Sequence, residues 1–172
     1  MTADTTRPAP DPQRHLQRAL MAVAVIELLN ALLGLRHIFN TAPNELTSIQ
    51  FAQALLSLYL ALAPLVVGTA LWLAIKRRLR QAIIALGTLT LLSWALDDVW
   101  SVAIHGPELS WSYAGQVMFV HHFVNPAAAT VGVALAVKDR QLPLAGLLVC
   151  FPTLYNWINF FIFAGAVFIR GF

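Results

Sequence analysis

The sequence predicts an all-α fold, a polytopic integral membrane bundle of five transmembrane helices with the N-terminus inside and the C-terminus outside. Three observations predict it. Of 172 residues, 59% are hydrophobic and 11% charged, against about 45–50% and about 25% in an ordinary soluble domain, and mean hydropathy is +0.70. Five apolar runs each reach the ~20 residues that a helix needs to cross the hydrocarbon layer. Lys and Arg gather at alternate connections between them. The same composition excludes a disordered chain, a disulfide scaffold and a nucleic-acid binder. The single cysteine, Cys150, lies in an apolar run with no second cysteine to pair with.

In chain order, residues 1–13, with Pro8, Pro10 and Pro12, read as a flexible cytoplasmic tail, and 14–172 as one membrane domain. Span one covers about 19–39 and ends at Asn40-Thr41-Ala42-Pro43-Asn44. It is too long for a signal-peptide core and contains Glu27, Asn30 and Arg36, so it is expected to remain uncleaved. Span two, about 49–75, holds Pro64, where a kink is expected, and stops at the cationic run Lys76-Arg77-Arg78-Leu79-Arg80. It carries no ionisable group and is expected to pack or to face lipid. Span three, about 81–104, stops at Gly106-Pro107. Span four, about 113–137, ends at Lys138-Asp139-Arg140, and span five covers about 142–169. Strands are excluded because none of these runs alternates with period two.

Direction follows from the positive charges. Arg7, Arg14, Arg18, the four cations of the second connection, Lys138 and Arg140 fall on one side; Arg36 and Arg170 fall on the other. Cations are retained in the cytoplasm. An odd number of crossings then puts the C-terminus outside. The sequence pI of 9.5 reflects this topology and attraction to anionic membrane lipids, not a nucleic-acid partner. Trp72, Trp100, Trp111 and Tyr113 stand at span ends, as an interfacial belt does, whereas Trp94 and Trp157 fall well inside.

Ionisable groups within a bilayer are costly and mark function. Counting ~1.5 Å per residue from the outer span ends, Asp97 and Asp98 lie ~10–11 Å deep, and His121 and His122 ~12–13 Å. Asn30 and Asn159 lie ~13–15 Å deep, with Glu27, Asn125 and Asn156 at ~17–18 Å. Helical spacing aligns Glu27, Asn30, Gly34 and His37 on span one and Trp94, Asp98, Ser101 and His105 on span three. It aligns Met118, His121, Asn125, Ala128 and Gly132 on span four, and Pro152, Asn156, Asn159 and Phe163 on span five. The inner half is apolar apart from small residues and threonines. A conducting path needs polar stations across the whole thickness, so the pattern predicts an outward-opening pocket and disfavours a transporter.

Apolar walls with a few convergent polar groups suit a lipid-soluble small molecule. The expected acid–base set is Glu27, Asp98 and His121, in which Asp98 orients His121 and Glu27 exchanges a proton. Asn30, Asn125, Asn156 and Asn159, with Trp94 and Trp157 as aromatic walls, are the expected ligand-binding residues. Proton transfer of this kind requires no cofactor. Adjacent His121 and His122 point ~100° apart and do not suit one ion. His37 and His105 at the rim lie too far from His121 for a bis-His haem, which leaves open a single axial haem ligand, or a divalent metal on His121, Asp98 and Glu27. The expected partners are membrane lipids and a hydrophobic small molecule. In a second reading the polar layer only fixes helix packing in a subunit of a larger membrane complex.

Overall fold

The structure, a computed structural model, describes residues 12–40, 48–105 and 112–170, with side chains described for 13–36, 55, 57–96 and 112–169. The described residues are helical and contain no strand. In chain order the helices are α1 (Pro12–Asn40), α2 (Ser48–Ile75), α3 (Leu79–His105), α4 (Tyr113–Phe119), α5 (Asn125–Val137) and α6 (Leu142–Arg170). A π-helical turn, Val120–Val124, joins α4 to α5 without a break in helical backbone angles. Helices long and apolar enough to cross a membrane number five among the described residues, with α4, the π turn and α5 acting as one.

The helix α1 begins at Pro12, one turn and more before the apolar run and just inside the stretch read as tail. Proline suits a first helical position, where its missing N–H costs nothing. The added turns are anchored: Leu16 and Leu20 are buried, and Gln17 Nε2 donates to the Ala74 carbonyl at 3.0 Å.

The spans pack as a ring. Each of α1, α2, α3, α5 and α6 lies against the next, α6 closes onto α1, and α3 also touches α1 and α6 across the middle. For helices apolar enough to cross a membrane, association rests on close packing. The sequence supplies it with small residues. Ala63, Val67, Ala70 and Ala74 form the buried seam of α2, and Ala129, Gly132 and Ala136 that of α5. Ala145 and Val149 face Gly132 from α6, and Cys150 is buried beside them. Most large apolar side chains point outward, from Leu29, Leu32 and Leu33 on α1 to Phe160, Phe161 and Phe163 on α6.

The packed core fills only one end of the ring, the basic end that carries the connections at 76–78 and 138–141. Both connections close in the same way. Arg78 N–H donates to the Leu73 carbonyl at 2.8 Å, and Arg140 N–H to the Leu135 carbonyl at 2.9 Å. These are Schellman-type bonds that satisfy the last carbonyls of a helix. They demand left-handed backbone at Arg77 (φ 58°) and Asp139 (φ 53°). Arg80 Nη2 donates to the Val137 carbonyl at 2.7 Å, so α3 places a cation on the negative end of α5. At the other end of the bundle this packing gives way to a cavity.

Candidate functional site

The cavity has a volume of about 470 Å³ and is lined from every span. From α1 come Glu27, Asn30 and Leu33; from α3 Leu89, Thr90, Ser93 and Trp94; from α6 Pro152, Thr153, Asn156, Trp157 and Phe160. The π turn supplies His121 and α5 supplies Asn125 and Pro126. Although expected only to pack or to face lipid, α2 adds Tyr59. Among the described residues no lysine or arginine lines the space. The exposed lining residues are Asn30, Leu33, Asn156 and Phe160, all on α1 and α6.

Proline chemistry shapes the wall opposite. Pro126 has no N–H for the His122 carbonyl, four residues earlier. The chain answers in two ways. The ladder widens, so that Asn125 N–H reaches back five residues to the Val120 carbonyl. The freed His122 carbonyl accepts the Trp94 indole N–H at 2.9 Å. Single π turns of this kind are frequent at functional sites. The extra residue also turns the segment before it out of phase with α5. Met118, expected on the inward stripe, is therefore 41% exposed, and the buried residue one turn beyond Asn125 is Ala129 and not Ala128.

Hydrogen bonds assign the polar groups different parts. Thr153 Oγ1 donates to Glu27 Oε1 at 2.5 Å, tying α6 to α1 across the cavity. Trp94 spends its N–H on the His122 backbone, and so offers the cavity only the carbon atoms of its ring. Thr90 is likewise occupied, donating to the Leu86 carbonyl at 3.1 Å. The rings of His121 and His122 meet edge to face at 5.7 Å; His121 lines the cavity and His122 does not. Trp157 stands edge-on to Phe160, with ring centroids 5.6 Å apart.

Asn125 differs from all of these. It is 4% exposed, and neither its Nδ2 nor its Oδ1 has a hydrogen-bond partner among the described residues. A buried amide left in this condition is costly.

Of the expected site residues, Glu27, Asn30, Trp94, His121, Asn125, Asn156 and Trp157 line the one cavity. Asn159 does not. Its Nδ2 donates to the Tyr155 carbonyl at 2.9 Å, and its Oδ1 accepts from the Tyr113 hydroxyl at 2.7 Å, so it ties the outer turns of α6 to α4. The side chains of Asp97, Asp98, His37, Ser101 and His105 lie outside the described residues. Among the described residues no three of His, Cys, Asp and Glu come close enough to hold a metal. Sequence reasoning missed Thr153, Tyr59 and Ser93. For Thr153 a signal was present: it precedes Asn156 by three residues and so shares its face. No protein-family model matches the chain, and no curated protein or solved structure matches it.

Proposed function

We propose that the chain is an integral membrane protein whose cavity binds, and chemically modifies by proton transfer, a lipid-soluble small molecule. The observation that carries this reading is the convergence of Glu27, Asn30, His121, Asn125 and Asn156 on one space whose remaining walls are largely apolar and aromatic. Its volume of about 470 Å³ lies within the range of small-molecule sites. The exposure of lining residues on both α1 and α6 suits a ligand that arrives sideways from the lipid. In this reading Glu27 takes a proton from the bound molecule and returns it at another position. His121 acts as its acid–base counterpart. Asp98, one helical turn beyond Trp94 on α3, is the proposed partner that orients His121.

Orientation belongs to the same proposal. The basic end, with Arg14, Arg18, Lys76, Arg77, Arg78, Arg80, Lys138 and Arg140, lies in the cytoplasm, so the cavity sits in the outer half of the membrane. Single cysteines placed at position 77 or 139 of a Cys150→Ala chain should react with a membrane-impermeant maleimide only after the membrane is opened. Labelling of intact cells at those positions reverses the orientation.

The function is tested on the purified protein. An organic extract of detergent-purified chain should yield a lipid-soluble compound by mass spectrometry. The Ser93→Phe variant, which fills the cavity, should yield none. In D2O the wild type should wash deuterium into that compound at carbon, and Glu27→Gln should not. Equal extracts from wild type and Ser93→Phe contradict binding, and exchange that survives Glu27→Gln contradicts the role of Glu27. An absorption spectrum and metal analysis of the same sample separate this reading from haem or metal binding.

A further inference from the structure

The polar groups around the cavity are not equally available to a ligand. Thr153 is committed to Glu27, the Trp94 N–H to a backbone carbonyl, and Thr90 to its own helix. Asn30 and Asn156 line the same space, are exposed, and hydrogen-bond no other described residue. Their positions are matched. Leu16 packs on Gly146 and, further along both helices, Glu27 meets Thr153, so α1 and α6 run parallel where they touch. Asn30 follows Glu27 by three residues and Asn156 follows Thr153 by three, which sets both carboxamides one turn, ~4.5 Å, beyond the Glu27–Thr153 contact. Glu27 has an oxygen of its own to offer: Thr153 occupies Oε1, and no described residue engages Oε2. Glu27 is also the only carboxyl that lines the cavity among the described residues, and no lysine or arginine there stands against it. His121 lines the space from the π turn and is not the hydrogen-bond partner of Glu27. Two amide carbonyls and a carboxyl oxygen make three acceptors on the α1–α6 side. A primary ammonium carries three donors and no acceptor, and its bonds to a carboxylate are of the strong, charge-assisted kind. A hydroxyl has one proton to give, and a carboxylate has none and meets Glu27 as a like charge.

We propose that the cavity binds amphipathic primary amines, with the ammonium held by Glu27 Oε2 and by the side-chain carbonyls of Asn30 and Asn156. The apolar body of the amine lies among Tyr59, Trp94 and Trp157. A free amine that arrives from the lipid takes the proton of a neutral Glu27, and an ammonium meets its carboxylate; both routes end in the same pair of charges. The inference rests on the reading of the cavity as a small-molecule site and goes beyond it. An amine held in this way occupies the carboxyl that the proposed proton transfer uses, so bound amine and that reaction exclude one another.

The test uses the full chain in non-ionic detergent micelles with three probes of one shape: 1-adamantanemethylamine, 1-adamantanemethanol and 1-adamantanecarboxylate. Saturable heat in titration calorimetry reads the binding at about pH 8, where an ordinary imidazole is neutral and an alkylamine charged. Each probe is compared between wild type and variant, so that its partition into micelles cancels. Glu27→Gln, which keeps an acceptor for Thr153, should bind the amine about tenfold more weakly than the wild type and the alcohol equally well. Asn30→Leu, at an exposed position and with Glu27 intact, should cost the amine about fivefold and leave the alcohol unchanged. Equal amine binding by wild type and Glu27→Gln, or wild-type binding of the carboxylate as tight as that of the amine, overturns the assignment. An amine affinity unmoved in Asn30→Leu removes the carboxamide from it. Saturable binding of the alcohol or the carboxylate without the amine overturns the assignment while leaving the cavity as a small-molecule site. Failure of all three probes overturns both.

Discussion

Gly132→Val should be the most damaging single substitution in the bundle. A Cβ at Gly132 would stand 2.9 Å from the Ala145 backbone oxygen, 2.7 Å from Val149 Cγ2 and 3.2 Å from Leu148 Cβ. A side chain can rotate away from such a contact, but a backbone carbonyl moves only with its helix. Valine adds two further carbons to that clash, so α6 must separate from α5. Overpacking of a close-fitted core costs about 1–3 kcal/mol, and the backbone contact places this variant at the upper end. The displaced stretch of α6 leads directly into Pro152 and Thr153, so the Glu27 contact should loosen as well. Gly165→Ala is the matched control, because a Cβ there meets nothing within 4 Å. It should be neutral or stabilise by up to about 1 kcal/mol, since alanine favours helix over glycine. Thermal unfolding of the purified variants in one detergent measures both. A Gly132→Val protein as stable as Gly165→Ala would contradict the α5–α6 packing.

Asn125→Leu should do the opposite and stabilise the empty protein. Leucine keeps the branched heavy-atom skeleton of asparagine and replaces two unpaired buried polar groups by apolar methyls, whose extra bulk can be taken up on the cavity side. Each buried donor or acceptor left without a partner costs about 1–3 kcal/mol. The gain should therefore be of that order. The comparison is with Asn159→Leu. Asn159 makes two hydrogen bonds, to Tyr113 and to the Tyr155 carbonyl, so its replacement should destabilise. Unfolding midpoints in ligand-free detergent solution read the two changes in opposite directions. If Asn125→Leu proves as harmful as Asn159→Leu, the Asn125 amide is paired in the folded protein.

Much of the arrangement was legible in the chain because straight helices convert residue number into depth and direction. A rise of ~1.5 Å per residue is enough to bring Glu27, His121, Asn125 and Asn156 to neighbouring levels. The regular 3.6-residue turn sets Glu27 with Asn30, and Pro152 with Asn156, on common faces. The rule fails where the helix stops being regular. The π turn at Val120–Val124 shifts the phase, so Met118 before it drops out of a stripe whose Asn125 and Gly132 beyond it are buried. Asn159 lies at a suitable depth, yet Tyr113 engages it, and a contact between residues 46 apart has no local signal. Thr153 and Ser93 escape notice for a different reason. Hydroxyls are common in apolar helices, where most bond their own backbone four residues back, as Thr69, Thr90 and Thr130 do.

The sequence by itself determined five helices long and apolar enough to cross a membrane, the basic connections between them and the level at which polar groups collect. Those properties depend on composition and helical period, which each segment carries alone. Only the tertiary structure decided which hydroxyl meets Glu27, which amide is left unspent and which residues line the cavity. Each of these depends on two helices approaching at one angle and one offset. That approach is set by small residues such as Gly132 and Ala145 meeting across a gap that no single segment encodes.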